Sequence, residues 1–274
     1  MRYWTALPLI ALTAQASAES AAAPVLQPQG PWKEDYANEE CRLVRAFGTG
    51  PEMLTVQISR GSGFQEFSIA MAGTAIPKLP QTTKVTLRLL EQGQEEQFEA
   101  QGAHIPDRPE GFVRLYGGGS NIIAEFSDDQ TIGIAFGTRS SVSVKLPGVR
   151  KAVAALDACH ADLLKSWGVD VDKLKAAKVP PRALGNPGYW VTTNDYPVQA
   201  LSAGKGGNVV FLLDVDAKGK PTSCSVTRSS GVPQLDERTC RLVMHRARFD
   251  AARNAEGQPI VGHYVSRVRW IIPD

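Results

Sequence analysis

Between residues 54 and 146 apolar and polar residues alternate with a period of two in seven runs: "LTVQIS", "EFSIAMA", "KVTLRLL", "FVRLY", "NIIAEF", "TIGIAF" and "SVSVKL". Glycine, proline and polar turns separate them, which predicts a mainly antiparallel sandwich or barrel over residues 32–167. The period then changes. After Pro147, the residues Val149, Val153, Leu156, Leu163 and Trp167 fall on one face at helical spacing and predict a helix that closes this region.

Residues 168–189, "GVDVDKLKAAKVPPRALGNPGY", carry Pro180, Pro181 and Pro187 among scattered glycines, and their lack of a core pattern predicts a linker. A second region, 190–274, has a clear order of elements. "DYPVQAL" reads as a short helix with Pro197 in its first turn, "GNVVFLLDVD" as a strand, "AKGK" as a turn and "PTSCSVTR" as the paired strand. "PQLDERTCRLVMHRARF" reads as a helix with Leu235, Leu242 and Val243 toward a core, and "IVGHYVSRVRWII" as a final strand. The fold class expected is therefore α+β: a β-rich sandwich or barrel closed by one helix, then a small domain with a three-stranded antiparallel sheet.

The N-terminus changes the picture of compartment. Arg2, the apolar run "YWTALPLIALTA" and the small-residue end "ASA" at Ala18 have the form of a secretory signal peptide over residues 1–18. About 12 apolar residues fall short of the roughly 20 that span a bilayer, so cleavage near Ala18 and a periplasmic protein are expected; an uncleaved inner-membrane anchor is the alternative. Residues 19–31 read as a flexible lead. The remaining chain, about 256 residues, has room for one large domain or two ordinary ones.

Export makes the four cysteines candidates for two disulfides. Three pairings are open to sequence alone. Cys41 with Cys159 and Cys224 with Cys240 are expected from the regions they share, with buried free thiols as the alternative.

Charge is divided unevenly. Residues 1–170 carry 15 Lys and Arg against 19 Asp and Glu, and residues 171–274 carry 15 against 9, so the C-terminal region is basic and favours an acidic partner surface. No aromatic-interleaved basic repeat points to nucleic acid.

Recognisable chemistry is sparse. "DVDAKG" at 214–219 begins like a calcium loop, but Lys218 and Ser225 stand where ligands are required, so a hairpin turn is expected. There is no phosphate loop, G-x-S-x-G elbow or H-E-x-x-H, and His104, His160, His245 and His263 are isolated in sequence. "YGGGSN" around Ser120 reads as a turn rather than a nucleophile site. No catalytic residue, metal, cofactor or small-molecule substrate is therefore expected, and a hydrolase in the first domain has no motif behind it. On the second helix of the C-terminal region Arg238, Arg241 and His245, with Arg246 and Arg248, form either a solvated face or a steering patch for an acidic partner.

"DYPVQAL", "GNVVFLLDVDAKGKPTSCSVTRSSGVPQLDERTC", "RARFDAA" and "GQPIVGHYVSRVRW", in that order, resemble the C-terminal domain of the TonB energy-transducer family. The resemblance implies a periplasmic module that grips an extended segment of an outer-membrane receptor, the TonB box, by adding it as a strand beside the module's last strand. Thr193, Ala247 and Ala251 stand where the family has Gln, Trp and Pro. Family transducers begin with a membrane helix and a long Pro-rich spacer, where a cleaved signal and a β-rich domain are expected here.

The partner-binding residues this implies are Thr193, Tyr196 and Pro197 in the YP region and Tyr264, Val265, Arg267 and Arg269 on the last strand. The partner implied is an outer-membrane receptor segment or another envelope protein, bound without enzymatic chemistry. The alternative is a scaffold protein whose module binds its own first domain, or a second copy, through the same edge.

Overall fold

The computed structural model describes residues 24–37, 40–60, 67–104, 110–117, 122–137 and 140–272. The signal-peptide reading of residues 1–18 and the turn at Ser120 lie outside the described residues.

Ten strands form one large sheet: β1 (Val25–Leu26), β2 (Pro28–Ala37), β3 (Glu40–Phe47), β4 (Leu54–Arg60), β5 (Ser68–Gly73), β6 (Thr82–Leu89), β7 (Gln94–His104), β8 (Gly111–Tyr116), β9 (Asp129–Phe136) and β10 (Ser140–Pro147). Their order is β1-β10-β9-β6-β7-β8-β5-β4-β3-β2. Only Gln27 separates β1 from β2, so one stretch of chain pairs with β10 at its start and with β3 at its end. The sheet thereby nearly closes on itself, as the expectation of a sandwich or barrel allowed.

Arg45 ties the seam, donating from Nε to the Gly30 carbonyl at 2.9 Å and from Nη1 to the Pro147 carbonyl at 3.1 Å. Its guanidinium lies over the rings of Trp32 and Phe47, a geometry favoured by the negative faces of the aromatics.

The period-two residues line the interior: Leu54, Val56 and Ile58 on β4, Val85, Leu87 and Leu89 on β6, Val142, Val144 and Leu146 on β10. Helix α1 (Val149–Ser166) packs against β3 and β4 on that same inner side, since its Val149, Val153 and Leu156 join the same core. Arg60 of β4 donates to Asp157 of α1 at 2.8 Å, and Cys41 of β3 is bridged to Cys159 of α1 with Cα atoms 6.2 Å apart.

Three sequence expectations are corrected here. "NIIAEF" is not a strand: Ile122, Ile123 and Phe126 are all buried on a tight turn, with Glu125 N and Phe126 N bonded to the carbonyls of Ile122 and Ile123. Burial at i, i+1 and i+4 is the spacing of a helical turn, not of a pleat. The lead expected to be flexible over 19–31 is strand from Val25 onward. β2, β3 and β7 also form strands that the alternation did not announce, because Arg45 interrupts the inward row of β3 and the buried row of β7, Phe98, Ala100 and Gly102, has one large apolar residue among polar neighbours.

The smaller domain contains β11 (Arg182–Ala183), α3 (Val198–Ser202), β12 (Gly207–Val215), β13 (Pro221–Arg228), α4 (Pro233–Arg246), β14 (Phe249–Asp250), β15 (Ala252–Arg253), β16 (Pro259–Ile260) and β17 (Gly262–Trp270). A three-stranded antiparallel sheet has the order β13-β12-β17. Helix α4 covers one face through Leu235, Leu242, Val243 and Ala247, packed with Val209, Phe211, Leu213 and Tyr264. Cys224 of β13 is bridged to Cys240 of α4, Cα to Cα 5.6 Å, which ties the helix covalently to its sheet at that point.

The stretch 168–189 departs from the expectation of a patternless linker. It contains α2 (Val171–Lys175), and Val169, Val171 and Leu174 are buried with Leu164 and Trp167 of the preceding helix region against Val210 and Val265 on the second face of the small sheet. Farther along, β11 pairs with β14, Val179 exchanges backbone bonds with Arg253, and Arg182 pairs with Asp250. A chain segment with few apolar residues can still be held this way when each one meets a prebuilt apolar face.

Candidate functional site: the open edge of the small sheet

Both outer strands of the small sheet pair with β12 alone among the described residues. They are not equivalent. β13 opens with Pro221, and its register against β12 shifts twice, between Val210 and Phe211 and between Asp214 and Val215. Proline and bulges are devices that spoil an edge for further pairing. β17 runs nine residues in unbroken register, from Gly262 opposite Val215 to Trp270 opposite Gly207, with no proline. Its outward backbone groups form the better template for another strand.

Alternation divides the side chains of β17 between two faces. Tyr264, Val268 and Trp270 join the cores under α4, whereas Val265 packs toward Trp167 and α2, placing His263, Arg267 and Arg269 on that second face. The sequence-predicted partner residues therefore play different parts. Tyr264 and Val265 are buried and offer only their backbone to the edge, while Arg267 is half-buried and Arg269 exposed.

Tyr196 is buried as well. Its ring meets Trp270 edge-on at 5.2 Å, and its hydroxyl donates to the Lys205 carbonyl at 2.9 Å. Thr193 is exposed and Pro197 half-buried.

What holds the YP region is a buried carboxylate that sequence reading missed. Asp195 accepts from Arg246 at 2.6 and 2.8 Å, and from the Thr192 N–H and hydroxyl at 2.9 Å each. Arg238 reaches its backbone carbonyl at 3.1 Å. The two-point bond from Arg246 outweighs burial and, with the Thr192 donors, holds the Asp195 carboxyl well below the usual carboxylate range. The cations of α4 are thus sorted: Arg238 and Arg246 clamp Asp195, while Arg241, His245 and Arg248 remain exposed. An acid directly before "YP" and two arginines eight apart on the helix were the available signal.

A second polar group spans all three strands. Asp214 of β12 accepts from Ser223 of β13 at 2.5 Å and meets His263 Nδ1 of β17 at 2.7 Å. The Ser223 bond, helped by His263, lowers the Asp214 carboxyl below its ordinary value despite burial. Serine and imidazole both face the carboxylate rather than each other, which is not the order of a Ser-His-Asp relay. The "DVDAKG" stretch is a hairpin turn, as expected: Asp216 accepts from the N–H groups of Lys218 and Lys220, both at 2.9 Å. Gly219 has φ 78° and presses on the Phe249 carbonyl, where a Cβ would come within 1.8 Å, so only glycine fits.

Among the described residues no group of three or more His, Cys, Asp or Glu could hold a metal, and no helix is long and apolar enough to cross a membrane. A cleft of about 370 Å³ lies on the large sheet between Gln94, Glu95, Glu96, Ile122 and Glu125; these side chains include no thiol, hydroxyl or imidazole.

Residues 192–272 match the family of the Gram-negative bacterial TonB protein C-terminal, in agreement with the resemblance read from the sequence. No curated protein and no solved structure matches the chain.

Proposed function

We propose that a TonB-type C-terminal domain, at residues 192–272, makes this chain a periplasmic, non-enzymatic docking protein of the cell envelope, linked to TonB-dependent transport. It takes up an extended segment of an outer-membrane receptor, or of another envelope protein, as an added strand along β17. The observation that carries this reading is the contrast between edges: β17 is long and regular and, among the described strands, pairs with β12 alone, whereas β13 is spoiled by proline and bulges. Strand addition draws affinity from main-chain hydrogen bonds, so the burial of Tyr264 and Val265 is compatible with a role for both positions.

The alternative in which the module binds its own first domain gains one specific observation, since Leu164 and Trp167 pack on the small sheet. That contact uses the sheet's face rather than the β17 edge. The test is a titration of the whole chain with peptides from receptor N-terminal segments. Amide shifts concentrated in residues 262–270 are expected; their absence, with a monomeric chain, would refute docking at this edge.

A further inference from the structure

The crossing from α1 to α2 runs under the small sheet in a definite direction. At its start, Gly168 lies beside the Thr227 carbonyl of β13, where a Cβ would stand 3.5 Å away. At its end, α2 packs against β17 through Val171 and Leu174, in the cluster that holds Val265. Helix α4, on the other face, packs mainly over β13 and β12 and meets β17 through Tyr264 and Trp270. On the second face the helix packed against the open edge is α2, which precedes the family-matched residues 192–272.

The charges on that side are mostly positive. Arg267 and Arg269 share the face of β17 turned toward α2, and α2 exposes Lys173 and Lys175. Lys173 is near enough to Asp214 to help lower its carboxyl. The anions nearby are largely engaged: Asp170 caps α2 by accepting from Asp172 N and Lys173 N, and Asp214 is bonded to Ser223 and His263. Asp172 is exposed and offsets one cation.

We infer that α2 is one wall of the β17 docking edge, so that the groove is built jointly by the module and the segment before it and accepts an extended segment with acidic side chains on the face turned toward α2. This rests on docking at β17. A strand added there would lie one strand spacing, about 4.8 Å, beyond β17, with alternate side chains directed to the α2 side. Carboxylates in those places meet Lys173, Lys175 and Arg269; lysines would be repelled.

The experiment uses the whole chain and two blocked decapeptides, one alternating Val and Glu and one alternating Val and Lys. The Val–Glu peptide should shift amides in both 262–270 and 171–175, and bind at least roughly tenfold tighter than Val–Lys at low salt, an advantage that shrinks as salt is raised. Lys173→Gln with Lys175→Gln removes two exposed charges without setting a carboxylate beside Asp214; it should leave the thermal midpoint nearly unchanged and weaken the Val–Glu peptide by about fivefold. Unchanged affinity in that variant, with β17 amides still shifting, would overturn the wall while leaving docking at β17 intact. If neither these peptides nor the receptor segments move the amides of 262–270, both readings fall.

Discussion

In the large sheet the stretch 25–37 serves as both outermost strands, so the rows of unpaired backbone groups at its two ends are brought together and the seam is tied by Arg45. The small sheet, with three strands, is too narrow to close, and β13 and β17 both remain outermost. One of these is spoiled by Pro221 and two register shifts, the other is left regular. Near-closure leaves little of an edge exposed, whereas a sheet that takes up a strand must keep one edge usable and blunt the other. The same physical feature is suppressed in one region and retained in its neighbour, and the two are joined by α1, which packs in the large core at Leu156 and in the small one at Leu164.

The largest effect should come from the bridge that belongs to the large sheet. Cys41 and Cys159 are 118 residues apart, and replacing both by Ala should cost about 4 to 5 kcal/mol by loop entropy, read as a fall in the denaturant midpoint. Trp167→Ala comes next. Its indole, 2% exposed, packs between the two regions, and its loss should cost about 3 to 4 kcal/mol. A single unfolding transition in the wild type that splits into two in this variant would show the regions to be coupled through that contact; an unchanged midpoint would show that they are not.

Replacing Cys224 and Cys240 by Ala should cost about 3 kcal/mol, since the closed loop spans only 16 positions. The loss should appear in the small domain, with the other bridge still recovered by non-reducing peptide mapping.

Asp195→Asn should cost about 2 kcal/mol, within the range for hydrogen bonds to charged groups. Because the folded carboxyl titrates below its unfolded value, its contribution is present above about pH 4 and is lost as pH falls through the folded value. Urea midpoints between pH 3 and 7 should therefore slope downward toward acid in the wild type and less so in the Asn variant. Arg241→Ala should change stability by no more than about 0.5 kcal/mol, as expected of an exposed cation without a role in the clamp. A loss as large as that of Asp195→Asn would mean that the division of the α4 cations drawn above is wrong.

Much of this architecture was legible in local pattern. Period-two runs with a buried face announced β4, β5, β6, β8, β9 and β10, and helical spacing announced α1, because each of those segments carries its own burial signal. In the small domain α3, the β12–β13 hairpin, α4 and β17 were legible in that succession, whereas the two-residue pairs β11–β14 and β15–β16 were not. β7 was not, since its buried row of Phe98, Ala100 and Gly102 carries a single large apolar side chain. β3 was hidden because Arg45 faces inward to meet two backbone carbonyls and two aromatic rings that come from elsewhere.

At the candidate site the sequence by itself determined which strand is last, that arginines alternate along it, and that the module's cysteines lie on a strand and the helix after it. Only the tertiary structure decided the rest. Tyr196, Tyr264 and Val265 turned inward, Asp195 became the anchor of Arg238 and Arg246, and residues 168–189 folded against the sheet as α2 and its flanks instead of hanging free. The physical reason is one of range. Periodicity reports which face of an element is buried but not what buries it, and an edge becomes a docking site or a closed seam only when the neighbouring chain is seen to leave it open or to fill it.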